Sequence, residues 1–325
     1  MKKMAFMGVL AGLMLVLTLA LAEVAVRVFF PQLNPATQLV FYSANEWNVP
    51  LGWPGATYRH RHNAGDFDVT VTFNELGLRD VADVRRAGAG DWLYVGDSFG
   101  FGFGVEEHER ASSRLDSLLP GVRVFNLSSP THIEGYGRLL QYARDLGVSD
   151  SAGVILQVFT GNDLFDFEQV VEGHTPFTSR LDRLKFRVST RSALYQAVRY
   201  VVWNLPGLGD RMAASRATGA VEGFTVRFDE TVIASSARMT ERVLAGRTGD
   251  VLVVVAPPKS LWFGSQQQEW QRIHRAYVQA VREKGLPVLD LADVVGAEDY
   301  FPVDGHWNAG GNARVAEALF RLIGE

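Results

Sequence analysis

From residue 91 to the C-terminus, short apolar runs alternate with amphipathic segments, and this alternation is the strongest constraint on the fold. Runs at 92–96, 122–126, 153–159, 251–256 and 287–291 have the length and β-branched content of buried strands. Segments 107–119, 135–146, 266–284 and 309–323 carry apolar residues at helical spacing. Strands that read as continuous apolar runs and are separated by helices predict a parallel sheet covered on both faces, a doubly wound α/β domain. In such a sheet with strand order 2-1-3-4-5, ligands bind beyond the C-terminal strand ends, where the first and third strands lie side by side.

Composition narrows the rest. With 47% apolar residues, the 325-residue chain can bury a full core. A net charge of −4 leaves no basic footprint for nucleic acid. The absence of cysteine removes disulfides, thiolate metal sites and cysteine nucleophiles. Lys2 and Lys3 precede an uncharged apolar run, Met4 to Ala22, of about the 20 residues that a bilayer-crossing helix needs. Ala20 and Ala22 would suit signal cleavage, whereas continued apolar character through Val24, Val26 and Phe29-Phe30 favours an uncleaved anchor. Either way residues 1–30 place the remainder outside the cytoplasm, with the lysines inside.

Residues 31–90 read as a small β-rich lead-in packed on the main domain, with alternation at Asp68-Val69-Thr70-Val71-Thr72-Phe73. The domain proper spans 91–325, and its rhythm breaks at 164–250, an insert with a basic stretch (Arg180, Arg183, Lys185, Arg187, Arg191) and an apolar helix near Ala193–Trp203. A solvated helix face accounts for the basic stretch, with an anionic glycan or lipid headgroup as the alternative.

Three strand ends carry polar groups. Leu93-Tyr94-Val95-Gly96-Asp97-Ser98-Phe99-Gly100 is an apolar run that stops at a serine among glycines. The third strand ends in Thr160-Gly161-Asn162-Asp163, and Asp304-Gly305-His306 precedes the last helix. Serine needs a base and an oxyanion stabiliser to act as a nucleophile. His306 can remove the Ser98 proton, Asp304 can orient His306, and Asn162 can donate to an oxyanion beside the Ser98 N–H. Asp97 reads as a residue that hydrogen-bonds the turn. Taken singly, each of these residues could be a turn or capping residue; their joint placement at strand ends favours chemistry. His60 and His62 alternate on a strand-like segment with no evident third ligand, so no metal is expected. His108, His132, His174 and His274 read as surface or packing residues.

Gly96-Asp97-Ser98, Gly161-Asn162-Asp163 and Asp304-Gly305-His306 resemble, in order, three signature blocks of the SGNH (GDSL-type) hydrolases. The lead-in, with Asn74-Glu75-Leu76-Gly77-Leu78-Arg79, looks like that of membrane-anchored members. The resemblance implies a flavodoxin-like three-layer αβα domain that acts on esters, often acetyl groups on carbohydrate, without metal or cofactor. It also implies an oxyanion hole built from Ser98, Asn162 and a glycine N–H of the second block. Asn126-Leu127-Ser128-Ser129-Pro130 runs on to Gly135, the candidate for that glycine. The aspartate and histidine are often three apart in the family and are two apart here. Gly96-Asp97-Ser98-Phe99-Gly100 also fits the Gly-x-Ser-x-Gly elbow of α/β-hydrolases, but that fold places several strands before its serine. The expected substrate is an ester or acylated glycan. Acyl transfer in polysaccharide modification, or a non-catalytic glycan-binding role, are the alternatives.

Overall fold

The computed structural model describes residues 2–30, 39, 41–42, 45–62, 65–164, 192–204 and 228–324. In chain order, helix α1 (Lys2–Phe29) is followed by strands β1 (Phe41–Tyr42), β2 (Leu51–Gly52), β3 (Thr57–Arg61) and β4 (Asp68–Thr72). Then come β5 (Trp92–Val95), the short helix α2 (Ser98–Phe101), α3 (Ala111–Leu118), β6 (Val124–Asn126), α4 (Ile133–Asp145) and β7 (Gly153–Phe159). The remainder comprises α5 (Ala193–Asn204), α6 (Glu230–Leu244), β8 (Val251–Ala256), α7 (Gln267–Glu283), β9 (Val288–Asp290) and α8 (Ala309–Ile323). Two compact units result: one holds α1 and α5, the other all the remaining elements.

In the larger unit, five parallel strands are ordered β6-β5-β7-β8-β9, the doubly wound arrangement read from the alternation. Side chains leave a strand alternately to its two faces, and the two cores follow that period. Leu93, Val95, Val154, Leu156, Val158, Val253 and Val255 pack with Leu139, Ala237, Ile273 and Tyr277 of α4, α6 and α7. Tyr94, Ile155, Leu252, Val254 and Ala256 point the other way, into Leu115, Val315 and Leu319 of α3 and α8. The result is three layers, helix–sheet–helix.

The expected helix over 107–119 is shorter than its pattern. Residues 107–109 form a 3₁₀ turn, Arg110 is extended, and the α-helix starts at Ala111. The cause is Arg110 itself: its guanidinium is buried and donates to the Arg79 carbonyl and to Ser112 Oγ, which its extended backbone permits.

The lead-in pairs β1 with β2 and β3 with β4 in two antiparallel pairs. A third, smaller core joins the β3–β4 hairpin to the main domain: Phe67, Val69, Val71 and Phe73 pack with Phe101, Val105 and Phe301. The hairpin therefore lies against both the loop after Ser98 and the loop before His306.

In the smaller unit, Phe6–Phe29 of α1 is long and apolar enough to cross a membrane, with mean hydropathy 2.5. The α5 helix coincides with the apolar helix expected near Ala193–Trp203. Its first turn is capped by Glu23, whose carboxylate accepts the N–H groups of Ala193 and Leu194 and the Ser192 hydroxyl. The basic stretch Arg180, Arg183, Lys185, Arg187 and Arg191 lies outside the described residues.

Candidate active site

Ser98 is the first residue of α2, directly beyond the C-terminal end of β5. Asp97 caps that helix and holds the turn, as its sequence position suggested. Its Oδ1 accepts the Phe99 N–H at 2.9 Å and the Gln157 side-chain amide at 2.9 Å. Burial pushes the Asp97 carboxyl up to about 6, although the Phe99 N–H and the charge of His306 pull the other way. Gly100 is required by a close approach, because a Cβ there would lie 2.5 Å from Ser128 Oγ. The chain then turns through Gly102 in the left-handed region, at φ 77°.

A buried cation holds this loop from the lead-in. Arg79 donates to the carbonyls of Phe101, Gly102 at 2.5 Å and Val105 at 2.6 Å. Burial, together with the neighbouring Arg110, pushes its guanidinium down to about 9, so it stays charged at neutral pH. In the sequence Arg79 stands only as part of a lead-in motif; its hold on the serine loop belongs to the fold.

His306 lies on a tight excursion closed by the bridge between Tyr300 and Trp307 and by the Phe301 N–H donating to the His306 carbonyl. The two-residue spacing from Asp304 has a local explanation. One oxygen, Asp304 Oδ1, accepts both the His306 backbone N–H at 3.0 Å and Nδ1–H at 2.5 Å, so the turn and the ring orientation share one acceptor. That network assigns the Nδ1–H tautomer and leaves Nε2 as the acceptor facing Ser98 Oγ, 2.8 Å away. Burial would raise the Asp304 carboxyl, but the hydrogen bond and charge of His306 outweigh it and hold the group below its ordinary value. The His306 ring packs between Phe103, stacked at 4.5 Å, and Phe99 at 4.8 Å. Phe103 is thus a part of the site that its sequence context does not signal.

The structure brings Ser98, His306 and Asp304 into one hydrogen-bonded chain. Asn162 follows the C-terminal end of β7, the strand paired with β5, and its side chain is exposed. Gly135 is the third residue of α4, where the amide has no acceptor within the helix. The turn bearing Asn162 has buried support. Tyr136 and the Phe159 N–H donate to Asp163 Oδ2 at 2.6 and 2.7 Å, and Thr160 Oγ1 meets His274 Nδ1 at 2.8 Å. His274 in turn meets Asp290 at 2.8 Å through Nε2. Of the two sequence readings, surface or packing, His274 follows the second: it is buried and links the ends of β7 and β9. His60 packs its ring against Phe67 and Phe103, and burial lowers it to about 4, which keeps it neutral.

No protein-family model matches the chain, and no curated protein sequence matches it. Among solved structures it is similar to a member of the lipolytic protein G-D-S-L family from Veillonella parvula, at 13% identity and TM-score 0.42, over 71% of this chain and 97% of that one. It is also similar to the M. smegmatis aryl esterase, at 17% identity and TM-score 0.39, over 72% of this chain and 98% of that one. A third is an alpha/beta hydrolase enzyme from the metagenome of Lake Arreo, at 10% identity and TM-score 0.40, over 74% of this chain and 98% of that one.

Proposed function

We propose that this chain is a membrane-anchored, extracytoplasmic serine ester hydrolase of the SGNH type that removes acyl groups, acetyl above all, from carbohydrate. The observation that carries the reading is the Ser98–His306–Asp304 chain at the C-terminal edge of the sheet, with 2.8 and 2.5 Å links. The three signature blocks add to it, and the 24-residue apolar helix Phe6–Phe29 motivates the anchor.

In this reading Ser98 Oγ attacks the ester carbonyl while Nε2 of His306 takes the hydroxyl proton. The C–O bond forms, the carbonyl electron pair moves to oxygen, and the oxyanion is met by the N–H groups of Ser98 and Gly135 and the Asn162 amide. One such donor contributes about 3 kcal/mol in the transition state. Asp304 stabilises the imidazolium and keeps its Nδ1 side fixed. Collapse breaks the bond to the sugar oxygen, which leaves with the proton from Nε2. Water, activated by the same histidine, then releases the acid and restores Ser98. A sugar hydroxyl in place of that water turns the same acyl-enzyme into a transferase.

The test is turnover of 4-nitrophenyl acetate and of acetylated glycans by the full chain in detergent, with mass-spectrometric detection of released acyl groups. A fluorophosphonate should label Ser98. A Ser98→Ala variant that hydrolyses and labels like the parent would refute the proposal.

A further inference from the structure

Catalysis by Asp304 and His306 requires that their backbone be held in place. Asp304 spends its Oδ1 on His306, and the Tyr300–Trp307 bridge with the Phe301 N–H to His306 carbonyl bond closes the loop at its base. Pro302 has no N–H to contribute to a turn. The tip is instead gripped from outside by two side chains of opposite charge.

Asp66 lies on the hairpin connection between β3 and β4, in the lead-in rather than in the α/β domain. Its side chain is only 5% exposed. Oδ2 accepts the N–H of Val303 at 2.9 Å and the N–H of Asp304 itself at 2.6 Å. Lys259, just past the C-terminal end of β8, donates Nζ–H to the carbonyls of Phe301 at 2.8 Å and Pro302 at 3.0 Å. Four consecutive residues, 301 to 304, therefore have a peptide group bound by Asp66 or Lys259.

We infer that Asp66 and Lys259 form a positioning clamp on the His306 loop, so that the lead-in hairpin is an integral part of the active site. The inference rests on the Ser98–His306–Asp304 reading. Charge supports the pairing: Asp66 on the hairpin and Asp304 on the His306 loop are two carboxylates, and the Lys259 ammonium interacts favourably with both. Packing supports it too, since Phe67, next to Asp66, lies 5.3 Å from Phe301 and 5.7 Å from Phe103, the ring stacked on His306. The groups facing the clamp are His62, whose Nδ1 is 3.4 Å from Asp66, together with His60, Asp304 and His306. The clamp touches no reacting atom. It acts through Asp304, because a misplacement of about 1 Å in a catalytic group can cost about 100-fold in rate.

The experiment uses the full chain in detergent with 4-nitrophenyl acetate, and reads amide hydrogen exchange at Val303 and Asp304 alongside kcat and KM. Asp66→Ala should lower kcat by about 10- to 100-fold, with KM changed less than about threefold, and should speed exchange at both amides. Asp66→Asn keeps an oxygen acceptor for the same two N–H groups and should recover most of both losses. Lys259→Met should lower kcat in the same direction, which keeps the inference testable if Asp66→Ala does not fold. The clamp is overturned if Asp66→Ala or Lys259→Met leaves kcat within about twofold of the parent. Unchanged exchange at Val303 and Asp304 in folded Asp66→Ala overturns it as well. An Asp66→Asn variant as impaired as Asp66→Ala overturns it too, since charge rather than hydrogen bonding would then matter. A Ser98→Ala variant that retains full activity removes the catalytic reading on which the inference rests, an outcome distinct from any clamp result.

Discussion

Replacing Asp97 by asparagine should make this protein more stable at neutral pH, although Asp97 caps the helix that carries Ser98. The carboxyl is 2% exposed, and burial raises it from an ordinary 3.8 to about 6. A raised value on an acid means that the folded state holds the proton more tightly than the unfolded chain does. Folding stability therefore falls as pH rises from about 4 to about 6, and levels off above that. The ionised form accordingly costs about 3 kcal/mol at pH 7 relative to a fully protonated site. Asparagine does not titrate, and its Oδ1 can accept the same N–H groups from Phe99 and Gln157. The variant should match the parent near pH 4 and exceed it by up to about 3 kcal/mol at pH 7. The assay is denaturant unfolding of both proteins from pH 4 to 8, followed by the near-ultraviolet signal of the buried Trp270 and Trp307. Acids common to both proteins cancel in the difference. A stability difference that is flat with pH, or that favours the parent at pH 7, refutes the reasoning. Turnover should move the other way, because the Asp97 charge favours the imidazolium of His306.

Three further outcomes can be checked directly. Asp304→Asn removes the acceptor charge and can present an amide N–H toward Nδ1, so kcat should drop by about 10⁴; unfolding free energy at pH 7 should also fall, because a carboxylate that the fold holds below its ordinary value is lost. Arg79→Met leaves the carbonyls of Phe101, Gly102 and Val105 without their charged donor, and should cost about 3 kcal/mol in unfolding free energy, offset in part by relief of the Arg110 repulsion. The cysteine-free chain permits a topology test: Glu241→Cys, an exposed site on α6, should react with a membrane-impermeant maleimide in intact cells. Absence of reaction there, with reaction after lysis, would place the larger unit in the cytoplasm.

What the sequence by itself determined was local or periodic. Apolar runs of strand length alternating with amphipathic segments dictate a parallel sheet with helices on both faces. Leu93 and Tyr94, or Val253 and Val254, divide between the two cores because successive strand residues must point oppositely. The serine at the end of β5 and the Asp304–His306 pair were legible for the same reason, as short-range patterns at strand ends. The grip on that site was not legible. Arg79, Asp66 and Lys259 act on backbone carbonyls and N–H groups far along the chain, and a backbone acceptor has the same identity at every residue. A charged side chain in a loop reads as solvated until the fold buries it. His274 is a similar case, since a lone histidine on an amphipathic helix gives no sign of Asp290 and Thr160 at its two nitrogens. Only the tertiary structure decided which loops the lead-in touches, because packing of Phe67, Phe101 and Phe301 into one cluster depends on chain closure, not on spacing.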